Sequence, residues 1–155
     1  MTADSNRGRG SVLAYAAAAW ASLFAVLHGV WAAGWYIGLQ ADEARRAFER
    51  PGFLAFDIIV AGMCTLAAAV ALALVRPWGR RVPRWLVGLL AWGATGLLAL
   101  RGGTAAIQVL YMIISGTFAA HWMLLWEVWF CLGAVLFGLS AWRFWTVPPT
   151  SSVTV

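Results

Sequence analysis

The stretch Phe53–Val75, FLAFDIIVAGMCTLAAAVALALV, runs for 23 residues with one charged side chain, Asp57. Wound as a helix it is about 35 Å long, enough to cross the roughly 30 Å hydrocarbon layer of a bilayer. No Pro interrupts it. Core helices of soluble domains have no need of such a length without a polar face. This segment therefore predicts a membrane-spanning helix, and the rest of the chain is placed around it.

Three more apolar runs accompany it. Ser11–Leu39 is apolar throughout and too long for the core of a signal peptide, which predicts a retained span. Trp85–Leu100 is a third run, lengthened to about 19 residues if it begins at Val82, near the lower limit for a crossing. Trp122–Trp142 is the last. The composition agrees: 63% of the 155 residues are hydrophobic and 11% are charged, against about 25% charged in a soluble domain. A soluble chain of this size could not hide that much apolar surface. The expectation is an all-α polytopic membrane protein, one four-helix bundle over residues 11–145, between a disordered N-terminus (1–10) and a disordered tail (146–155).

Charge sets the orientation. The chain has eleven Arg, no Lys and a net charge of +5. Seven Arg fall on one side: Arg7 and Arg9, the loop RPWGRRVPR with Arg76, Arg80, Arg81 and Arg84, and Arg143. The other side has Arg45, Arg46, Arg50 and Arg101, the first three diluted by Asp42, Glu43 and Glu49 in a loop with helical character closed by Pro51-Gly52. The positive-inside rule then places both termini in the cytoplasm of a plasma-membrane protein. No soluble basic face exists for nucleic acid. Arg without Lys, with abundant Ala and Gly, fits a GC-rich bacterial genome.

Residues 101–121, RGGTAAIQVLYMIISGTFAAH, are ambiguous. Ala105–Ile114 is apolar but short, which predicts an interfacial or re-entrant segment hinged at Gly102-Gly103 and Ser115-Gly116. A fifth span is the alternative; it would put Arg143 and the tail outside, against the charge rule.

Six polar or ionisable residues map to the outer half: His28, Asp57, Arg101, Gln108, His121 and Glu127. A charge in hydrocarbon costs about 2.5–3.5 kcal/mol on insertion scales, so such residues usually face the protein interior. Phe24, His28, Trp31 and Trp35 share one helical face; Asp57, Ala61, Cys64 and Ala68 share another; Glu127, Cys131, Ala134 and Gly138 share a third. Small residues let membrane helices approach closely, so the Asp57 and Glu127 stripes are expected to face inward. Each residue has a plainer reading: His28 as a core histidine, His121 as interfacial, Arg101 as a snorkelling end residue, Asp57 as a helix-start carboxylate. Glu127, within a span between Trp126 and Trp129, resists one most. Of eleven Trp, Trp78, Trp85, Trp142 and Trp145 suit the membrane interface, whereas Trp92 falls mid-span.

Several chemistries are disfavoured. Cys64 and Cys131 are isolated, with no CxxC for quinone or disulfide redox, and read best as small packers. Two His on different helices could ligate haem in principle, but nothing else supports it. No metal motif, P-loop, dinucleotide fingerprint or nucleophile elbow occurs, and no cofactor or metal is expected.

The elements His28-Gly29-Val30-Trp31-Ala32-Ala33-Gly34-Trp35, Leu98-Ala99-Leu100-Arg101-Gly102 and Leu125-Trp126-Glu127-Val128-Trp129-Phe130-Cys131-Leu132-Gly133 resemble a family of small bacterial four-helix membrane proteins known only as a domain of unknown function. The resemblance spans most of Ser11–Trp142 and is most specific at His-x-x-Trp-Ala-x-Gly. It implies the fold and no activity. Members often carry Pro in the last helix where this chain has Val128, so no kink is implied. The tryptophan-rich sensory translocator proteins are similar in size and Trp content, but their Trp-x-Pro-Pro element is absent from the spans.

The functional expectation is an outward-opening pocket that binds a small amphipathic or cationic molecule for binding, sensing or transport. His28, Trp31, Asp57, Arg101, Gln108, His121, Trp126, Glu127 and Trp129 are its candidate residues. Asp57 and Glu127 would supply negative charge, and Trp31, Trp126 and Trp129 would supply apolar and cation–π contact. One alternative is an intramembrane enzyme using Glu127 or Asp57 as general acid on a lipid or isoprenoid. The other is a structural subunit of a homo-oligomer or larger membrane complex. The inner half lacks ionisable residues within its spans, which weighs against transport. The bilayer is the one partner expected in every reading.

Overall fold

The computed structural model describes residues 3–116 and 123–146. Five helices follow one another: α1 (Ala3–Ala32), α2 (Ala41–Phe48), α3 (Phe53–Ala73), α4 (Arg84–Ile114) and α5 (Met123–Thr146). A 3₁₀ turn, Pro77–Arg81, lies between α3 and α4. Among the described residues there is no strand. Four helices are long and apolar enough to cross a membrane, over Gly10–Ala32, Phe53–Ala73, Arg84–Ile114 and Trp126–Thr146. The chain is a multi-pass membrane protein. The composition change near residue 10 falls within α1, whose backbone is already helical from Ala3. The tail beyond Thr146 lies outside the described residues.

The helices form a closed square. α1 packs on α3 and on α5, and α4 packs on α5 and, more lightly, on α3. Ala17, Ala21 and Ala71 are fully buried and Ala18 and Ala68 nearly so, so α1 and α3 meet along small residues. The fully buried Phe137 of α5 and the indole of Trp20 fill the space that remains. Trp20 fits because Gly133 has no side chain: a Cβ there would sit 2.5 Å from its ring. Trp20 Nε1 donates to the Trp129 carbonyl at 3.2 Å, and the two indoles stack at 5.4 Å. Leu23, Ile58, Ile59, Leu97, Leu132 and other large apolar side chains point outward, as a lipid-facing surface requires.

The loops are built by residues the sequence marks. α1 ends in a Schellman motif. Trp35 N–H donates to Val30 and Gly34 N–H to Trp31, with Gly34 at φ 89°. Arg50-Pro51-Gly52-Phe53 is a β-turn with a Phe53 N–H to Arg50 carbonyl bond and Gly52 at φ 84°, the type II pattern. It delivers the chain directly into α3.

One expectation is corrected. Ala105–Ile114 is not a separate interfacial or re-entrant segment, and Gly102-Gly103 is not a hinge: α4 runs unbroken from Arg84 to Ile114 over 31 residues. Gly102 is instead a point of close approach, where a Cβ would lie 2.9 Å from Cys131 Sγ and 3.3 Å from its backbone nitrogen. A break in the helix would leave backbone groups unpaired where α4 packs on α5, whereas continuing it satisfies each one. The chain turns only after Ile114, at Gly116 with φ 67°. From Arg84 to Arg101 is about 26 Å of helix, close to the hydrocarbon thickness, so the remaining turns to Ile114 extend about 20 Å further. Arg101 therefore sits inside a long helix rather than at its end.

Candidate functional site

His28 lies in the last turns of α1 and Asp57 in the second turn of α3. The helices are antiparallel neighbours, so the two residues meet at one end of the bundle. His28 Nδ1 and Asp57 Oδ1 are 2.6 Å apart, with both residues buried at 8% and 3% exposure. With Asp57 ionised, Nδ1 is the donor. The remaining polar atom on each side, His28 Nε2 and Asp57 Oδ2, is buried and has no protein partner among the described residues. Buried polar atoms are nearly always partnered by protein, water or ligand, so an open atom on each residue of the pair marks a place where something else can bond.

The imidazole is walled by aromatic rings. Phe24 meets it edge-on at 4.6 Å and Trp31 at 4.7 Å. Trp126 of α5 touches Phe24 at 6.1 Å and Trp31 at 5.5 Å. Trp31 is fixed by its own bond, Nε1 to the Ile37 carbonyl at 2.9 Å. Gly38 passes close to Trp126, 3.5 Å from where its Cβ would be.

A second pair joins α4 to α5. Arg101 NH1 donates to Glu127 Oε2 at 2.9 Å and to Oε1 at 3.2 Å, and NH2 donates to Oε1 at 3.2 Å. Both carboxylate oxygens are engaged. The Arg101 side chain is 48% exposed and that of Glu127 13%. The guanidinium also lies over the Phe130 ring at 4.7 Å, and Phe130 meets Phe24 edge-on at 5.6 Å. The direct contacts of the four ionisable residues are therefore pairwise, and a chain of rings, Phe130 to Phe24 to His28, links one pair to the other. A groove of about 430 Å³ between α4 and α5 touches Glu127; its other walls, including Gly102, Leu110 and Cys131, are apolar.

The other candidates fall as follows. Trp129 is half-buried in the core beside Trp20, and its Nε1 is buried with no partner among the described residues. Gln108 is exposed on the part of α4 that continues beyond Arg101. His121 lies outside the described residues. Trp35, at 71% exposure, falls past the end of α1 and leaves the face of Phe24, His28 and Trp31. The Asp57 stripe does face inward, with Ala68 buried and Ala61 and Cys64 half-buried. The Glu127 stripe lies against α4: Gly102 approaches Cys131, and Gly138 approaches Thr95. Cys131 is itself exposed, and both cysteines are free. Phe130 carries the link between the pairs and was not among the expected residues; its spacing of four from Trp126 was the available signal. Among the described residues no group of three His, Cys, Asp or Glu could hold a metal ion.

The DUF3995 family model, described as a protein of unknown function, matches residues 21–137, about three-quarters of the chain. No curated protein and no solved structure matches. The chain belongs to the DUF3995 family.

Proposed function

From membership of a family whose function is unknown, we propose that this protein binds a small amphipathic molecule within the membrane, polar end at the His28–Asp57 pair and apolar body against Phe24, Trp31 and Trp126. The observation that carries this reading is the pair of open buried atoms, Nε2 and Oδ2, beside that aromatic wall. Oδ2 accepts a hydrogen bond, and a neutral imidazole accepts another at Nε2. A donor-bearing head group suits them: an ammonium has a donor for each atom, and a hydroxyl has one for either. Glu127 is already engaged by Arg101 through both oxygens, so its role is to hold α4 against α5. The Arg distribution favours a plasma-membrane protein with both termini cytoplasmic, and the composition favours a bacterial source. The site then lies in the outer half.

Octylammonium and octanol are suitable probes, read by thermal stabilisation of the purified protein in detergent. The wild-type protein should be stabilised, and His28→Ala and Asp57→Asn should lose the effect. Equal stabilisation of all three proteins would sink the reading.

A second reading draws on the same pair. A carboxylate that orients an imidazole through Nδ1 leaves Nε2 free to take or give a proton. In an intramembrane acid–base enzyme acting on a lipid or isoprenoid, His28 would then be the reacting base and Asp57 its positioning partner.

A further inference from the structure

The basic end of the bundle carries a second concave site. A cleft of about 440 Å³ opens where the segment between α3 and α4 folds back, and Arg76, Arg80, Arg81 and Arg84 line it beside Phe144. The fold fixes this segment closely. Gly79 is buried against the end of α3, and a Cβ there would fall 1.9 Å from the Ala73 carbonyl oxygen, so no other residue can take the position unchanged. Arg76 rests over the Tyr15 ring at 5.7 Å. Arg84 lies over the Phe144 ring at 4.6 Å and donates to the Phe144 carbonyl. These contacts hold two guanidinium groups at the rim. Arg80 and Arg81, carried on the 3₁₀ turn, are exposed and have no ion-pair or hydrogen-bond partner among the described residues. No Asp or Glu occurs anywhere between Asp57 and Glu127 in the sequence, so the segment is not neutralised from within.

An apolar groove of about 520 Å³ adjoins the cleft, between α4 and α5. Its walls are Trp85, Leu89, Trp92, Trp142 and Trp145. Gly88 makes it, since a Cβ there would lie 2.6 Å from the Trp145 ring. The two hollows share a border: Arg84 precedes Trp85 on α4, and Phe144 precedes Trp145 on α5, with those last two rings 6.2 Å apart. Four cations at the membrane surface beside a Trp-walled apolar slot form a shape with a polar anionic end and a hydrocarbon end. This arrangement also accounts for Trp92, which falls mid-span.

We infer that this site holds one anionic phospholipid, its phosphate in the Arg76–Arg84 cleft and an acyl chain along the Trp85–Trp145 groove. Arg80 and Arg81 supply the unneutralised charge, and the groove separates a lipid from a free phosphate.

Native mass spectrometry of the full chain, released from detergent with added dioleoyl phosphatidylglycerol or dioleoyl phosphatidylcholine, tests it. The phosphatidylglycerol should be retained in preference. An Arg80→Ala/Arg81→Ala double variant should bind it roughly thirtyfold more weakly, at about fivefold per Arg near a lipid surface. Arg45→Ala/Arg46→Ala, which removes the same charge from the opposite end, should leave retention unchanged. Glycerol phosphate and inorganic phosphate, which lack chains, should not displace the lipid. Equal retention of the two lipids, an equal loss in both double variants, or displacement by inorganic phosphate would each overturn the inference. Among the described residues neither the Arg80 nor the Arg81 side chain makes an ion pair or hydrogen bond, and helical circular dichroism should match the wild type in the variant.

Discussion

Asp57 Oδ1 lies 2.6 Å from His28 Nδ1, and this one contact ties the end of α1 to the start of α3. Its energetic role can be separated from any functional one. Asp57→Leu leaves a buried imidazole N–H without its acceptor and should cost about 2–4 kcal/mol, measured by SDS unfolding of the purified protein. His28→Phe/Asp57→Leu removes both polar partners and adds apolar volume, and should recover most of the loss, because replacing a whole buried pair by apolar groups is often neutral. A double variant as unstable as the single would make the pair a structural clamp. Recovered stability with lost probe binding would mean that the pair serves the ligand.

Gly102 and Gly103 are adjacent and should respond oppositely to Ala. At Gly102 the new Cβ would meet Cys131 at 2.9 Å, forcing α4 and α5 apart, and about 1–3 kcal/mol should be lost. At Gly103 nothing lies within 4 Å, and Ala should be neutral or stabilising by up to about 1 kcal/mol through helix propensity. Equal destabilisation at both positions would instead indicate a hinge that needs glycine for its backbone freedom.

These two glycines also show where sequence reasoning stopped. Gly next to a charged residue at the end of an apolar run reads as a helix end, because both mark ends in soluble proteins. Here the helix continues, since a break would leave backbone groups unpaired against α5, and the same Gly serves close packing. Only the rotation of α5 about its axis distinguishes the two uses, and that rotation depends on long-range contacts such as Gly133 against Trp20. The same limit applied at the site. Composition revealed the four spans, and the small-residue stripe turned Asp57 inward. Shared depth made His28, Asp57, Arg101 and Glu127 candidates for one another. Which carboxylate meets which cation follows from helix neighbours, α1 with α3 and α4 with α5, and no local pattern encodes that.

Gln108 reports on the extension of α4. It is exposed, about 10 Å of helix beyond Arg101 on the side opposite the basic segment. With both termini cytoplasmic, Gln108→Cys should react with an impermeant maleimide added outside intact cells, and a reporter fused after Arg143 should read cytoplasmic. The two native cysteines need replacing by Ala first, because Cys131 is exposed. An external reporter signal at the C-terminus would overturn the topology.

The two ion pairs should behave as separate units. Arg101 holds both oxygens of Glu127, so Glu127→Gln should destabilise by about 1–3 kcal/mol, between an exposed pair and a fully buried one. A double-mutant cycle of Arg101→Leu with Glu127→Leu should return a coupling of about 1–2 kcal/mol, as expected for residues in contact. A cycle across the pairs, Asp57→Asn with Glu127→Gln, should be additive within about 0.5 kcal/mol. Among the described residues the pairs are joined by aromatic rings, Phe24 with Phe130 and Trp31 with Trp126, which transmit packing and hold no charge. If binding of octylammonium belongs to the His28–Asp57 pair alone, Glu127→Gln should leave its thermal shift intact after correction for lost stability. Cross-pair coupling above about 1 kcal/mol, or loss of that shift in Glu127→Gln, would instead make the four residues one polar site with α5 as its second wall.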